Sequence, residues 1–244
     1  LTDVTGVQTC ALPISFVSYL QLANRHGMTA GEVASLHKDM ASLDLELTVV
    51  PCRGWRRARS WPGTGLPFVP PSPNIPTWET ALVYPGMCLL EGTNLSEGRG
   101  TTTPFFVFGA PWITDPWALV DRLHRQGLFG VRFRPTAFVP DHDKGSGARC
   151  LGAQLMVTDV QRFRPVATAL TLLSVVHALH PEDLVLRTDA YEFVEDVPAL
   201  DLLLGSTALR TALFDGTSPS ELVAALDAPA RAFADLRRRY LLYP

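Results

Sequence analysis

The sequence predicts an α/β protein, and three patterns in it say so. A capped helical stretch, Thr29 to Met40, leads into an alternating one, "LELTVV", Leu45 to Val50. Two further strand-like runs, "VRFRPTAF" and "LGAQLMVTD", follow a well-bounded helix. A long apolar run, "RPVATALTLLSVVHALH", then precedes a series of short helices. Helix followed by strand is the order found at the tail of an α/β unit. The remainder reads as an α+β domain with a mixed sheet and several helices.

Each element has a local reason. Thr29 with Glu32 three residues later forms a capping box, and Val33, Leu36 and Met40 recur at helical spacing. "WPGTGLPFVPPSPNIPT", Trp61 to Thr77, holds six prolines, too many for a helix or a central strand, and reads as an ordered loop or a domain boundary. Thr77 to Tyr84 is expected as a short helix, and Met87 to Leu90 as a short strand. In "DPWALVDRLHRQG", Asp115 caps, Pro116 fits the first turn and Gly127 marks the stop. In "SPSELVAALD", Ser218 and Glu221 form a second capping box around Pro219, and "PARAFADLRRRYLLY" closes the chain as a helix.

Composition excludes several functions. The chain has 244 residues, 47% hydrophobic and 18% charged, with net charge -3 and pI about 6.1, so no basic field suits nucleic acid or an anionic membrane. Lys38 and Lys144 are the only lysines, and the arginines are scattered. The most apolar run is too short and too interrupted to cross a bilayer. Cys10, Cys52, Cys88 and Cys150 form no CxxC pair, so neither a zinc site nor a disulfide framework is indicated.

The chemistry concentrates in "EGTNLSEGRGTTTPF", Glu91 to Phe105. This stretch is too polar to be a core element. It is not a phosphate-binding loop, because Gly92 is followed five residues on by Glu97, and Arg99 stands where lysine belongs. "DHDKGSG", Asp141 to Gly147, begins like a calcium loop but has Gly152 at its twelfth position. His177 and His180 share an apolar helix and read as packing and helix-end residues. "GSG" at Ser146 lacks the frame of a nucleophilic serine. No metal or cofactor is therefore expected.

Carboxylate chemistry remains. Glycoside cleavage needs an acid on the leaving oxygen and, in most enzymes, a second carboxylate to assist attack. Glu91 and Glu97 are the candidate catalytic pair. Asn74, Asn94, Arg99, Thr101 and His26 are candidate sugar-binding residues. The competing reading is structural: the two glutamates cap glycine turns and pair with Arg99.

"RHGMTAGEVA", "GWRR", "LPFVPPSPNIPTWETALVYPGMCLLEGTNLSEGRGTTTPFFVFGAPWI", "GVRFRPTAFVP" and "RFRPVATALTLL" resemble, in that order, the exo-β-N-acetylmuramidase NamZ family of bacterial peptidoglycan hydrolases. The resemblance runs from about His26 to "RRRYLLY" and implies a Rossmann-like N-terminal domain followed by a C-terminal α/β domain, with the site between them. It also implies release of N-acetylmuramic acid from non-reducing ends, a peptidoglycan-derived sugar as partner, and a secreted or periplasmic location. The family's catalytic glutamate is expected in a Gly-Pro-Glu-His-Gly segment, which this sequence does not contain. "VTGVQTCALPI", Val4 to Ile14, resembles the translation of a sequencing adapter. The expected organisation is thus 1–14 as artefact, 15–70 as the end of the Rossmann-like domain with its linker, and 71–244 as the C-terminal domain, a fragment expected to be inactive alone. A non-catalytic carbohydrate-binding module, or an esterase or amidase using the same loop, is the alternative.

Overall fold

The computed structural model of the chain describes residues 27–191 and 193–244. The adapter-like segment and His26 lie outside the described residues. Within them the elements run α1 (Ala30–Met40), a 3-10 turn (Trp61–Thr64), α2 (Trp78–Met87), a 3-10 turn (Cys88–Gly92), β1 (Val107–Ala110), α3 (Pro116–His124), β2 (Val131–Phe138) and β3 (Cys150–Val157). They continue with α4 (Pro165–Leu179), α5 (Ala199–Leu204), α6 (Thr207–Phe214), α7 (Pro219–Ala224), α8 (Asp227–Arg237) and a closing 3-10 turn (Arg238–Tyr240). The expected α/β class stands.

The strands form one sheet in the order β1-β3-β2. Both pairings are antiparallel, so the sheet is not mixed as expected. β2 alternates, with Val131 and Phe133 inward and Arg132 and Arg134 outward, as a sheet with one wet face requires. At the β1–β3 seam Gly109 stands opposite Gly152, and a Cβ on Gly152 would overlap the Phe108 carbonyl. Only glycine allows that approach.

Helix α4 is the centre of the core. Pro165 occupies its first turn, and eleven of its fifteen residues are buried, from Pro165 to Val176, so it is apolar nearly all round. It packs against α2, α3 and α7, and its Leu170, Leu172, Leu173 and Val176 join Phe105, Phe108 and Phe133 in the main cluster. Asp115 Oδ1 accepts the Trp117 and Ala118 N–H bonds at 3.0 Å each, the cap expected for α3.

Two expectations fail for physical reasons. Met87 to Leu90 is helical rather than a strand: α2 runs through Pro85 and tightens into the 3-10 turn. Met87, Leu89 and Leu90 are all buried, and Gly86 lies against the Pro165 backbone so closely that no Cβ would fit. Core burial overrides the local breaker. Leu45 to Val50 carries strand alternation but pairs with no strand among the described residues, and Val50 is exposed.

A second, smaller cluster joins the two ends of the described chain. Met28, Val33 and Leu36 pack on Phe233, with Tyr240 and Leu241 against them. At its edge Glu32, fully buried, accepts from Arg57 Nη2 at 2.6 Å, the Leu242 N–H at 2.6 Å and the Thr29 N–H at 2.7 Å. Burial pushes its pKa up, but these donors together hold it below the ordinary 4.5. A depressed carboxylate contributes stability above its unfolded pKa and loses it as pH falls through the folded value. The melting temperature should therefore fall on acidification below pH 4.5. Glu32→Gln should cost about 3 kcal/mol at pH 7 by leaving the Arg57 charge without its carboxylate, with only the Gly27 and Tyr243 carbonyls as partners among the described residues, and should flatten the acid limb. Thermal melts of both proteins across pH would check this; equal acid limbs would exclude Glu32 as a source.

Candidate functional site

The polar loop at 91–105 is anchored on three sides. Toward β1, Ser96 and Gly109 exchange backbone hydrogen bonds at 3.0 and 3.1 Å. Toward 183–187, Asn94 N–H donates to the Val185 carbonyl at 3.1 Å and Arg187 N–H to the Gly92 carbonyl at 3.0 Å. From 140–147, Asp141 N–H donates to the Gly100 carbonyl at 2.8 Å. Gly98 and Gly100 have φ of 80° and 74°, and at Gly100 a side chain would meet the His142 backbone. Two glycines are thus needed for a tight double turn.

Inside that frame lies a chain of ionised groups. Arg99 Nη2 donates to Glu91 Oε1 at 2.8 Å, and its Nε lies 3.1 Å from Glu97 Oε1. Lys144 Nζ lies 2.7 Å from Glu97 Oε2, off the hydrogen-bond direction, since that oxygen makes no hydrogen bond of good geometry among the described residues. The same ammonium donates to the Leu90 and Leu95 carbonyls at 2.8 and 2.9 Å. Tyr191 OH donates to Glu91 Oε2 at 3.0 Å. The Arg99 guanidinium carbon stands 5.2 Å from the Phe105 ring centre, and that ring meets Tyr84 edge-on at 4.9 Å.

Burial raises the Glu97 pKa above 4.5 despite Lys144, and the charge on Glu91 pushes the same way. Burial opposes the Arg99 charge, but Glu91 and then Glu97 more than offset it and hold its pKa above the arginine norm. Glu97 is 1% exposed and Glu91 8%. The predicted catalytic pair therefore lies behind Arg99 and Lys144, in the ion-paired arrangement of the structural reading.

The structure brings Glu91, Glu97 and Arg99 together and leaves the other described candidates apart. Asn94 turns its amide to the backbone, donating to the Asp183 carbonyl at 2.8 Å and accepting the Val185 N–H at 3.1 Å. Thr101 Oγ1 closes its own turn on the Gly98 carbonyl at 2.6 Å. Asn74 sits in the Ser72 to Ile75 turn, its N–H on Ser72 Oγ at 3.2 Å, with no hydrogen bond to the polar loop among the described residues. Sequence reasoning missed Lys144, Tyr191 and Phe105. Lys144 left one clue, being one of two lysines in an arginine-rich chain; Tyr191, a hundred residues from Glu91, left none. Among the described residues no group of three or more His, Cys, Asp or Glu is placed to hold a metal.

Residues 82–243 match the family model described as exo-beta-N-acetylmuramidase NamZ, C-terminal, and residues 2–79 the one described as exo-beta-N-acetylmuramidase NamZ, N-terminal. The chain is 42% identical over 229 residues to the peptidoglycan beta-N-acetylmuramidase NamZ of Bacillus subtilis (strain 168), covering 94% of this chain and 53% of that protein. It also resembles crystal structures of two DUF1343 family proteins from Bacteroides fragilis NCTC 9343. The first has a TM-score of 0.77 and 28% identity, over 89% of this chain and 56% of its own. The second has a TM-score of 0.61 and 26% identity, over 90% and 56%. The chain spans about half the length of the relatives it matches.

The ion cluster yields a stability prediction. Lys144→Met would leave Glu97 without one of its two cations and the Leu95 carbonyl without its Lys144 donor, while the Leu90 carbonyl keeps Thr93, a loss of about 3–5 kcal/mol. Urea unfolding would measure it, and a change under 1 kcal/mol would mean that Lys144 behaves as an ordinary surface ion pair.

Proposed function

Because this chain belongs to the exo-β-N-acetylmuramidase NamZ family, we propose that it is part of a peptidoglycan glycosidase that releases N-acetylmuramic acid from non-reducing ends, and that the chain itself binds the sugar without cleaving it. One observation carries the first half: 42% identity across 94% of the chain to a protein named for that activity. The second half rests on where the carboxylates lie. A general acid must come within about 2.6–3.2 Å of the oxygen it protonates. Glu97, at 1% exposure, cannot do so without leaving Arg99 and Lys144. Glu91 is held by Arg99 and Tyr191 together.

On this reading Glu91 and Glu97 are positioning residues. They fix the Arg99 guanidinium, which retains exposed surface and is the group of the loop that meets substrate. The acid that protonates the leaving oxygen is supplied by the Gly-Pro-Glu-His-Gly segment implied by the family resemblance, which is absent from these 244 residues. A carbohydrate-binding module shares the binding step but lacks the turnover, and an esterase or amidase would act on acyl groups instead.

A chromogenic N-acetylmuramic acid β-glycoside, assayed with this chain and with a full-length relative, tests the proposal. The relative should turn it over and this chain should not, since loss of one acid catalyst alone costs about 10²–10⁴-fold. Activity of this chain within tenfold of the relative would return the acid role to Glu91 or Glu97. Turnover of an acyl ester by the relative, with none of the glycoside, would favour the esterase reading.

A further inference from the structure

We infer that the outward edge of Arg99, its Nη1, donates to an uncharged carbonyl oxygen of the ligand, the acetamido group of the amino sugar, and does not receive the ligand's carboxylate. This rests on the sugar-binding reading above. Arg99 commits Nε to Glu97 and Nη2 to Glu91, while Nη1 makes no hydrogen bond among the described residues. The side chain keeps 26% of its surface exposed. A guanidinium with one edge locked and the other free is a donor fixed in direction before any ligand arrives.

The surroundings over-determine that direction. Glu91 is itself held by Tyr191, and Glu97 by Lys144. The Phe105 ring limits the guanidinium on one face. Phe105 has φ of 65°, a costly value for a bulky residue, and its N–H donates to the Glu97 carbonyl at 2.7 Å. Such backbone strain persists where the structure fixes it, and it concentrates at ligand clamps.

Charge decides the class of acceptor. Two cations, Arg99 and Lys144, face two carboxylates, Glu91 and Glu97, so the cluster has a formal sum of zero. Asp141 and Asp143 precede Lys144 in the chain, and Arg187 stands over the Tyr191 ring, 5.4 Å from its centre. A ligand carboxylate would give up its hydration for a cation whose field two carboxylates in contact already cancel. An amide carbonyl surrenders little hydration and still accepts the charged N–H.

The experiment uses the isotope-labelled chain and three sugars, read by affinity and by the Arg99 Nε–H resonance. N-acetylmuramic acid carries both acetamide and carboxylate, N-acetylglucosamine the acetamide alone, and glucose neither. The two acetylated sugars should bind within about threefold of each other and shift the Arg99 signal, and glucose should bind about tenfold or more weaker. Arg99→Lys should weaken both acetylated sugars by a similar factor and leave glucose unchanged. If that variant loses its fold, the sugar series on the unaltered chain stands alone. Affinity that follows the carboxylate, equal binding of all three, no binding of any, or saturation without a shift at Arg99 would each overturn the inference. Equal binding of all three would still leave sugar binding intact, and turnover by the full-length relative is judged separately.

Discussion

Glu97 is a carboxylate with almost no contact with water, in a loop that has little apolar surface to bury, and the arrangement of the site follows from how that charge is met. Removing a carboxylate from water is costly unless charges and hydrogen bonds replace the lost hydration. Here the replacement comes from Arg99 on one oxygen and Lys144 on the other. Arg99 is shared with Glu91, and Glu91 with Tyr191. The line of charges therefore ties together the turn before β1, the 140–147 loop and the segment around 191. None of these could shift alone without exposing an unpaired ion. The loop is fixed by this ionic closure together with packing, since its Leu95 and Phe105 are fully buried in the main cluster.

That closure also orders the site. Which Arg99 donors stay free is set by the bonds that the buried carboxylates already take. The glycines at 98 and 100 let the backbone turn twice within three residues, and the strained Phe105 carries the chain back into the core beside Phe108. The cation–π contact and the two ion pairs act on the same guanidinium, so loss of any one loosens the others.

A second buried carboxylate does similar work elsewhere. Glu32 lies in the span that matches the family's N-terminal model, and the Leu242 N–H it accepts lies in the span that matches the C-terminal one. Arg57 adds a bond to the Tyr243 carbonyl at 3.2 Å, and Cys52 N–H donates to Tyr243 OH at 2.8 Å. The last residues of the chain are thus bonded into its first described helix. The two matched spans are joined by these hydrogen bonds as well as through helix α2, within which one match ends and the other begins.

Local physics was legible in the sequence wherever one stretch of chain decided the outcome. The caps at Asp115 and Ser218, the alternation of Val131 to Phe138 and the all-round apolarity of α4 needed no partner to be read. The expectation that the polar loop could not be a core element fails, since most of Glu91 to Gly98 is buried and Leu95 and Phe105 join the main cluster, but the pairing of Glu91 and Glu97 with Arg99 was one of the readings its composition allowed. Tertiary structure decided the rest. The alternation of Leu45 to Val50 found no partner strand among the described residues, since pairing depends on a second segment. The helix through Pro85 won because the core beneath it rewards burial of Met87 and Leu90 more than proline penalises the turn. Which side chains enclose Arg99 was set by contacts from Lys144 and Tyr191, far along the chain. No short-range pattern encodes such contacts, because the free energy that forms them arises only once the loops are brought together.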